Sequence, residues 1–209
     1  MAFPGTAGEF EGRVTRIVDG DTIHVAPDDG KVKKIRLINI DAPESYYLGE
    51  RQSPWGRLAK RRLERLLPRG ARVTLRTPPS PLDRYGRTMA IVIYRGRNIN
   101  LEMVRSGWAV TYLVYPAMGM IDAFREAQAA ALAEKRGIFS PASGAPEIPC
   151  LWRRRISGRS PYWWVASART RRYLPPGGEA SIPLEERIFF ASEEEAIRAG
   201  YEKSKQDQI

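Results

Sequence analysis

The chain has one cysteine, Cys150, and one histidine, His24. A lone thiol excludes an intramolecular disulfide and any cysteine-built zinc cluster. A lone imidazole excludes a catalytic set built around a second histidine and leaves carboxylates as the candidate metal ligands. No apolar run approaches the roughly 18 residues that a membrane span needs. Met1 to Glu11 lacks the basic segment, apolar run and cleavage site of a signal peptide. A signal already removed would leave the same picture, so the compartment stays open between secreted and cytoplasmic. Asn and Gln are scarce, and Arg greatly outnumbers Lys.

What is present is a chain of 209 residues with 43% hydrophobic composition, enough for a buried core. Its formal net charge is +10 and its pI about 10.0, which favours an anionic partner, nucleic acid before a membrane surface. The charge is uneven: residues 1–140 carry +8, residues 141–160 carry +3, and residues 161–209 carry −1.

Residues 10–95 read mostly as strands. Phe10 to Val18 alternates, Ile23 to Val25 follows an Asp-Gly-Asp-Thr turn, and Asp28-Asp29-Gly30 signals a turn before a strand over 32–40. Ala71 to Arg76 and Thr88 to Tyr94 complete about five strands, the last apolar enough to be buried on both faces. Three helices are interleaved. Ser53-Pro54 predicts a capped start for the first, whose Trp55, Leu58, Ala59, Leu63, Leu66 and Leu67 share one stripe. The others are expected over Ile99 to Arg105 and Ile121 to Lys135, with Gly107 and Gly137 as stops. The fold class this implies is α+β: a five-stranded OB-type β-barrel with three helices, plus a small C-terminal α+β unit. The domains expected are 9–140 for the barrel, 141–160 as a Pro/Ala/Ser-rich linker, and 161–204 for the small unit.

Four short stretches carry candidate chemistry. Asp19-Gly20-Asp21-Thr22 lies between two strands, and alone is a hairpin turn. Arg36 is the one arginine in the apolar run Ile35 to Ile38. Asp41-Ala42-Pro43-Glu44 ends that strand with two carboxylates. Asp83-Arg84-Tyr85-Gly86-Arg87 precedes the buried strand. Together they meet the needs of phosphodiester hydrolysis: a cation on the phosphate, a base for water, and donors for the developing charge.

In this order the four stretches resemble the staphylococcal nuclease (thermonuclease-like) family, over about residues 9–140. The resemblance implies a calcium-dependent nuclease acting on DNA or RNA, preferring single-stranded or unpaired substrate. It implies one Ca²⁺, held by the carboxylates of Asp21 and Asp41 and the backbone carbonyl of Ala42, where many members have Thr. Glu44 would be the general base, and Arg36 and Arg87 would clamp the phosphate. Asp19 would shape the turn and, with Thr22, support the metal site from outside its ligand set. Tyr85 would lie near the nucleotide phosphate and Tyr115 would stack on the base. The sequence departs from the family at Leu113, often a tyrosine, and in Ser45-Tyr46-Tyr47-Leu48-Gly49, which lacks the lysines of the best-known members. The competing class is a non-catalytic nucleic-acid- or protein-binding module of the same fold. Inactive copies usually lose the carboxylates or arginines, and this chain keeps them. A third reading is an active fold silenced by the C-terminal unit. A monomer is expected, and the sequence names no protein partner and no membrane.

Past residue 160, a strand near Tyr162–Ala166, a Pro175-Pro176-Gly177-Gly178 turn, a strand near Arg187–Phe190 and a helix from Ser192 are expected. Ser192 with Glu195 forms a capping box. This unit resembles the Ada-type zinc-binding domain but has none of its four cysteines, so no zinc is expected. So small a unit without its metal is expected to pack on the barrel.

Overall fold

Alternating β-branched residues in the first hundred positions give strands that can bury one face, and they close on themselves. A computed structural model describes residues 8–28, 30–116, 119–144 and 146–204; Asp29 of the expected turn, and Met1 to Ala7, lie outside the described residues. The strands are β1 (Gly8–Ile17), β2 (Thr22–Pro27), β3 (Lys33–Leu37), β4 (Asn39–Asp41), β5 (Arg72–Thr77) and β6 (Thr88–Tyr94). β1 pairs antiparallel with β2 and β5, β2 with β3, and β5 with β6. A parallel β3–β6 pairing, with Arg36 opposite Met89, closes the five-stranded barrel. Val14, Ile23, Val25, Ile35, Leu37, Val73 and Leu75 fill its interior. On β6, Ala90, Ile91 and Val92 are all buried, because helices cover the outer face as the barrel fills the inner one.

The expected strand over 32–40 is broken in two. Asn39 takes a left-handed conformation (φ 65°), which an asparagine tolerates better than most side chains. After this bend the chain leaves its barrel partners. β4 then pairs with β8 (Val110–Val114), which the sequence reading did not assign. A short β7 (Arg97–Asn98) pairs with the end of β6.

The three expected helices are α1 (Trp55–Leu66), α2 (Ile99–Arg105) and α3 (Ile121–Ala133). α1 buries Gly56, Ala59 and Leu63, but no side chain caps its start, so the expected Ser53 cap is not made. Asn98 caps α2 by accepting from the Leu101 N–H at 3.0 Å. Asn100, fully buried on α2, donates to the Ile38 and Ala90 carbonyls and accepts from the Val92 N–H. This polar residue is tolerated because its amide is satisfied and staples α2 to the barrel.

The span expected to be a linker contains structure. Two short 3-10 turns, at Gly137–Phe139 and Pro141–Ser143, lead to α4 (Pro149–Ser157), which begins with proline and ends at Gly158 in the left-handed region. The Trp55 indole donates to the Ser143 carbonyl at 2.9 Å, and Trp152 on α4 is buried. Beyond it come β9 (Trp164–Ser167), β10 (Arg172–Leu174), β11 (Arg187–Phe190), α5 (Glu193–Arg198) and β12 (Glu202–Lys203). Ser192 accepts from the Glu195 N–H at 3.3 Å, and Glu195 accepts from the Ala191 N–H at 2.9 Å. The second sheet runs β12-β10-β9-β11-β8-β4, so β8 joins the C-terminal strands to the barrel's continuation. Ile188, Phe190, Tyr173 and Tyr201 share one apolar cluster with Leu113 and Phe124. Each large side chain buried there contributes roughly 1.5–3 kcal/mol, so the shared cluster ties the C-terminal unit to the barrel.

Candidate active site

Four elements meet at the barrel mouth. The turn before β2 is organised by Asp19, whose Oδ1 accepts from the Asp21 N–H at 3.1 Å. Gly20 is needed there: a Cβ would lie 2.6 Å from the Ala42 Cβ and 2.9 Å from the Ala59 Cβ. The turn therefore presses against both the Asp41–Glu44 segment and α1. Asp21 is buried; one carboxylate oxygen accepts from the Thr22 hydroxyl at 3.0 Å, the other from the Ala42 N–H at 3.0 Å. Strand register then places Arg36 opposite Thr22. Its guanidinium reaches Asp21 Oδ2 at 3.1 Å and Asp41 Oδ1 at 3.4 Å through a single nitrogen.

Glu44 is held from behind. Its N–H donates to the Gln52 side-chain oxygen at 3.3 Å, and its carbonyl accepts from the Gln52 N–H at 3.0 Å. α1 approaches so closely that a Cβ on Gly56 would lie 2.2 Å from the Glu44 carbonyl oxygen. Arg87 is aimed by Asp83, which accepts from the Arg87 backbone N–H at 2.9 Å and from its Nε at 2.7 Å. Arg87 Nη1 also reaches the Thr22 hydroxyl at 3.4 Å, linking the two loops.

Crowded carboxylates shift one another. Burial, with the charges of Asp21 and Glu44, pushes Asp19 up to about 8. Burial also lifts Glu44 to about 7; the nearby Arg153 opposes this, while Asp21 and Asp41 add to it. Asp21 behaves oppositely. Burial favours its neutral form, but Arg36, the Ala42 N–H, Arg153 and Arg87 outweigh that and hold it below the usual range. Two neighbouring carboxylates are thus driven apart, one ionised and one poised near neutrality, as acid–base assignments require.

Sequence reasoning missed Arg153. From α4 its Nη1 donates to Asp41 Oδ1 at 2.7 Å and to Glu44 Oε1 at 2.6 Å, and its Nη2 donates to Asp41 Oδ2 at 3.0 Å. The only signal was the basic run Arg153-Arg154-Arg155 inside the span 141–160 expected to be a linker. Helical spacing sends its members different ways: Arg154 pairs with Glu179 and Arg155 with Glu147.

Among the described residues no group of three or more His, Cys, Asp or Glu side chains forms a ready metal cage. A cation here would take two carboxylates, a backbone carbonyl and water, an all-oxygen set suited to a hard ion. The residues fit that role in chemistry: Asp21 and Asp41 already share one cationic nitrogen of Arg36, and the carboxyls of Asp19 and Glu44 lie close by.

The site opens into a cleft of about 670 Å³, lined by Asp19, Asp21, Arg36, Glu44, Tyr85 and Arg87 from the barrel and by α4 and the segment after it. Tyr85 is exposed, with the Arg84 and Arg87 guanidiniums 4.9 and 5.4 Å from its ring centre. Tyr115 is elsewhere. It packs on Phe190, ring centres 5.3 Å apart, and its N–H donates to the Phe189 carbonyl. Its ring is not part of the cleft lining.

The fold and site define an OB-type barrel that presents a carboxylate–arginine cluster to an open cleft. The chain belongs to the staphylococcal nuclease homologue family, whose model matches residues 34–141. Over 208 residues it is 38% identical to Endonuclease YhcR of Bacillus subtilis (strain 168), covering 96% of this chain but 17% of that protein. It is 36% identical over 156 residues to an uncharacterized endonuclease of Escherichia coli, covering 74% of this chain and 92% of the other. Thermonuclease of Staphylococcus hyicus is 31% identical over 134 residues, covering 64% and 78% respectively. The match to YhcR runs through the C-terminal unit, so that arrangement is shared with part of a larger protein.

Proposed function

We propose that this chain is a calcium-dependent nuclease that hydrolyses phosphodiester bonds of single-stranded or unpaired DNA or RNA. The observation that carries the reading is the convergence of Asp21, Arg36, Glu44 and Arg87, from four separate stretches, on one cleft, with Asp41 buried behind them in reach of Arg36. Asp21, Asp41 and the Ala42 carbonyl would hold the calcium ion, which supplies polarisation of the phosphate when bound. Glu44, lifted toward neutrality, takes a proton from the attacking water. Arg36 and Arg87 donate to the phosphate oxygens as charge gathers on them; because Asp83 and Thr22 already aim Arg87, little reorganisation is needed. Asp19 orders the turn that carries Asp21.

The test is cleavage of a labelled single strand with calcium and with EGTA, beside Glu44→Gln. Cleavage that needs both calcium and Glu44 supports the reading. Activity that persists in EGTA, or in Glu44→Gln, removes the assigned roles.

A second reading has its own observation. Arg153 engages both oxygens of Asp41 and one of Glu44, so the C-terminal segment holds the site closed until it withdraws. Truncation near Ser140 is a poor probe of this idea, since it also strips Ile188 and Phe190 from the shared core. Arg153→Ala leaves that core intact. Faster cleavage by this variant favours self-inhibition, and slower cleavage makes Arg153 part of the catalytic set.

A further inference from the structure

The cleft has a second wall that the family's site does not explain. Among the described residues the exposed large hydrophobic side chains include three aromatics, Tyr46, Tyr85 and Tyr162. All three line this one cleft. Tyr162 belongs to the segment between α4 and β9, follows Arg159 closely in sequence, and stacks obliquely on Trp163 with ring centres 5.1 Å apart. The Tyr85 and Tyr162 phenols both face the Arg84 guanidinium, so Arg84 sits between the barrel loop and the C-terminal wall. Arg84 and Arg159 make no ion pair among the described residues, whereas Arg153 and Arg154 are both paired with carboxylates. Exposed rings beside arginines that make no ion pair, in one groove, suit a flexible strand, whose bases stack while its phosphates meet charge. Meanwhile Tyr115, the ring expected to stack on a base, is half-buried against Phe190 of the C-terminal unit and does not line the cleft.

Resting on the nuclease reading, we propose that the segment after α4, together with the barrel loop, forms a nucleotide subsite in which Tyr162 stacks on a base and Arg84 and Arg159 hold flanking phosphates. Its occupant is a nucleotide of the single-stranded substrate flanking the scissile phosphate. The subsite grips the strand from the wall facing Tyr85 and takes over base recognition on a surface that the barrel alone does not have. It adds affinity for longer strands without touching the reacting atoms.

The experiment compares wild type, Tyr162→Ala, Tyr162→Phe and Arg159→Ala on a dinucleotide and on a long single strand. For Tyr162→Ala the KM on the long strand rises roughly five- to a hundredfold, the range that loss of one base stack gives, while kcat stays the same. The dinucleotide, too short to reach the subsite, shows no change. Tyr162→Phe keeps the ring and behaves as wild type. Melting curves check that each variant is folded, which the exposure of Tyr162 favours. In parallel, fluorescence anisotropy of a labelled strand on Glu44→Gln protein in EGTA, with and without Tyr162→Ala, reads binding without catalysis. A matching loss of affinity there upholds the subsite even if no cleavage is ever seen, in which case only the nuclease reading falls. Unchanged KM and unchanged affinity on the long strand, or an equal fall in kcat on both substrates, overturns the subsite.

Discussion

The two walls of the cleft are built by different means. On the barrel wall, the side chains of Asp21 and Arg87 and the backbone of Glu44 are each tied by two or more hydrogen bonds, and glycines at 20 and 56 let backbone and helix close in behind them. On the C-terminal wall, Arg153 is held by the carboxylates themselves, and Tyr162 and Arg159 stand exposed. The barrel wall is preorganised, as charge stabilisation in a transition state demands. Arg153, Arg159 and Tyr162 on the C-terminal wall lie outside every strand.

This contrast is sharpest in the rate. Glu44→Gln or Arg87→Ala should slow cleavage at least about a hundredfold, from loss of a base or of a transition-state donor. Circular dichroism should show an unchanged fold; a folded, fully active variant would falsify the preorganised wall. Gly56→Ala attacks the same wall from behind. The added methyl cannot fit 2.2 Å from the Glu44 carbonyl oxygen, so α1 or the Glu44 turn must shift. The expected cost is about 1–3 kcal/mol of stability, together with a loss of kcat larger than the change in KM. A variant with normal melting and normal kcat would show that Glu44 is not held by α1.

A change on the other wall should act in the opposite direction. Arg153→Ala removes a positive charge in contact with Asp41 and Glu44, so calcium affinity measured by titration calorimetry should rise roughly tenfold or more. An unchanged affinity would mean that Arg153 does not compete for those oxygens. The smallest effect is on stability in EGTA. Asp19 and Glu44 bind protons in the fold up to about 8 and about 7, against 3.8 and 4.5 in the open chain. Their contribution is fully present below about 4 and is lost progressively as pH rises from there to about 8. Melting temperature in EGTA should therefore drift down over that window, and calcium should flatten the drift by favouring the ionised carboxylates. A flat profile in EGTA would argue against the coupled cluster.

Much of the barrel was legible because its signals are local. Alternation and β-forming residues placed β1, β2 and β5, and a continuous apolar run placed β6; glycine stops and apolar stripes placed α1, α2 and α3; Ser192 with Glu195 placed α5. The bend at Asn39 was not legible, since an asparagine in an alternating run signals nothing until its partners change. β8 was missed because five residues between two helices carry little periodicity, and its identity as a strand depends on β4 and β11 pairing with it. α4 is hidden behind a proline-rich approach, since a short helix that buries Trp152 shows no long apolar stripe.

The sequence by itself determined the chemistry on offer: carboxylates and arginines in four short stretches, no second histidine, no cysteine pair, and a strongly basic first half. These follow from residue type and spacing. Tertiary structure alone decided that Arg153, 109 residues beyond Glu44, touches it, and that Tyr115 faces a core while Tyr162 faces the cleft. The physical reason is that β8 serves two regions at once. A strand pairs with whatever edge the fold brings beside it, and no local pattern in either segment records which edge that will be.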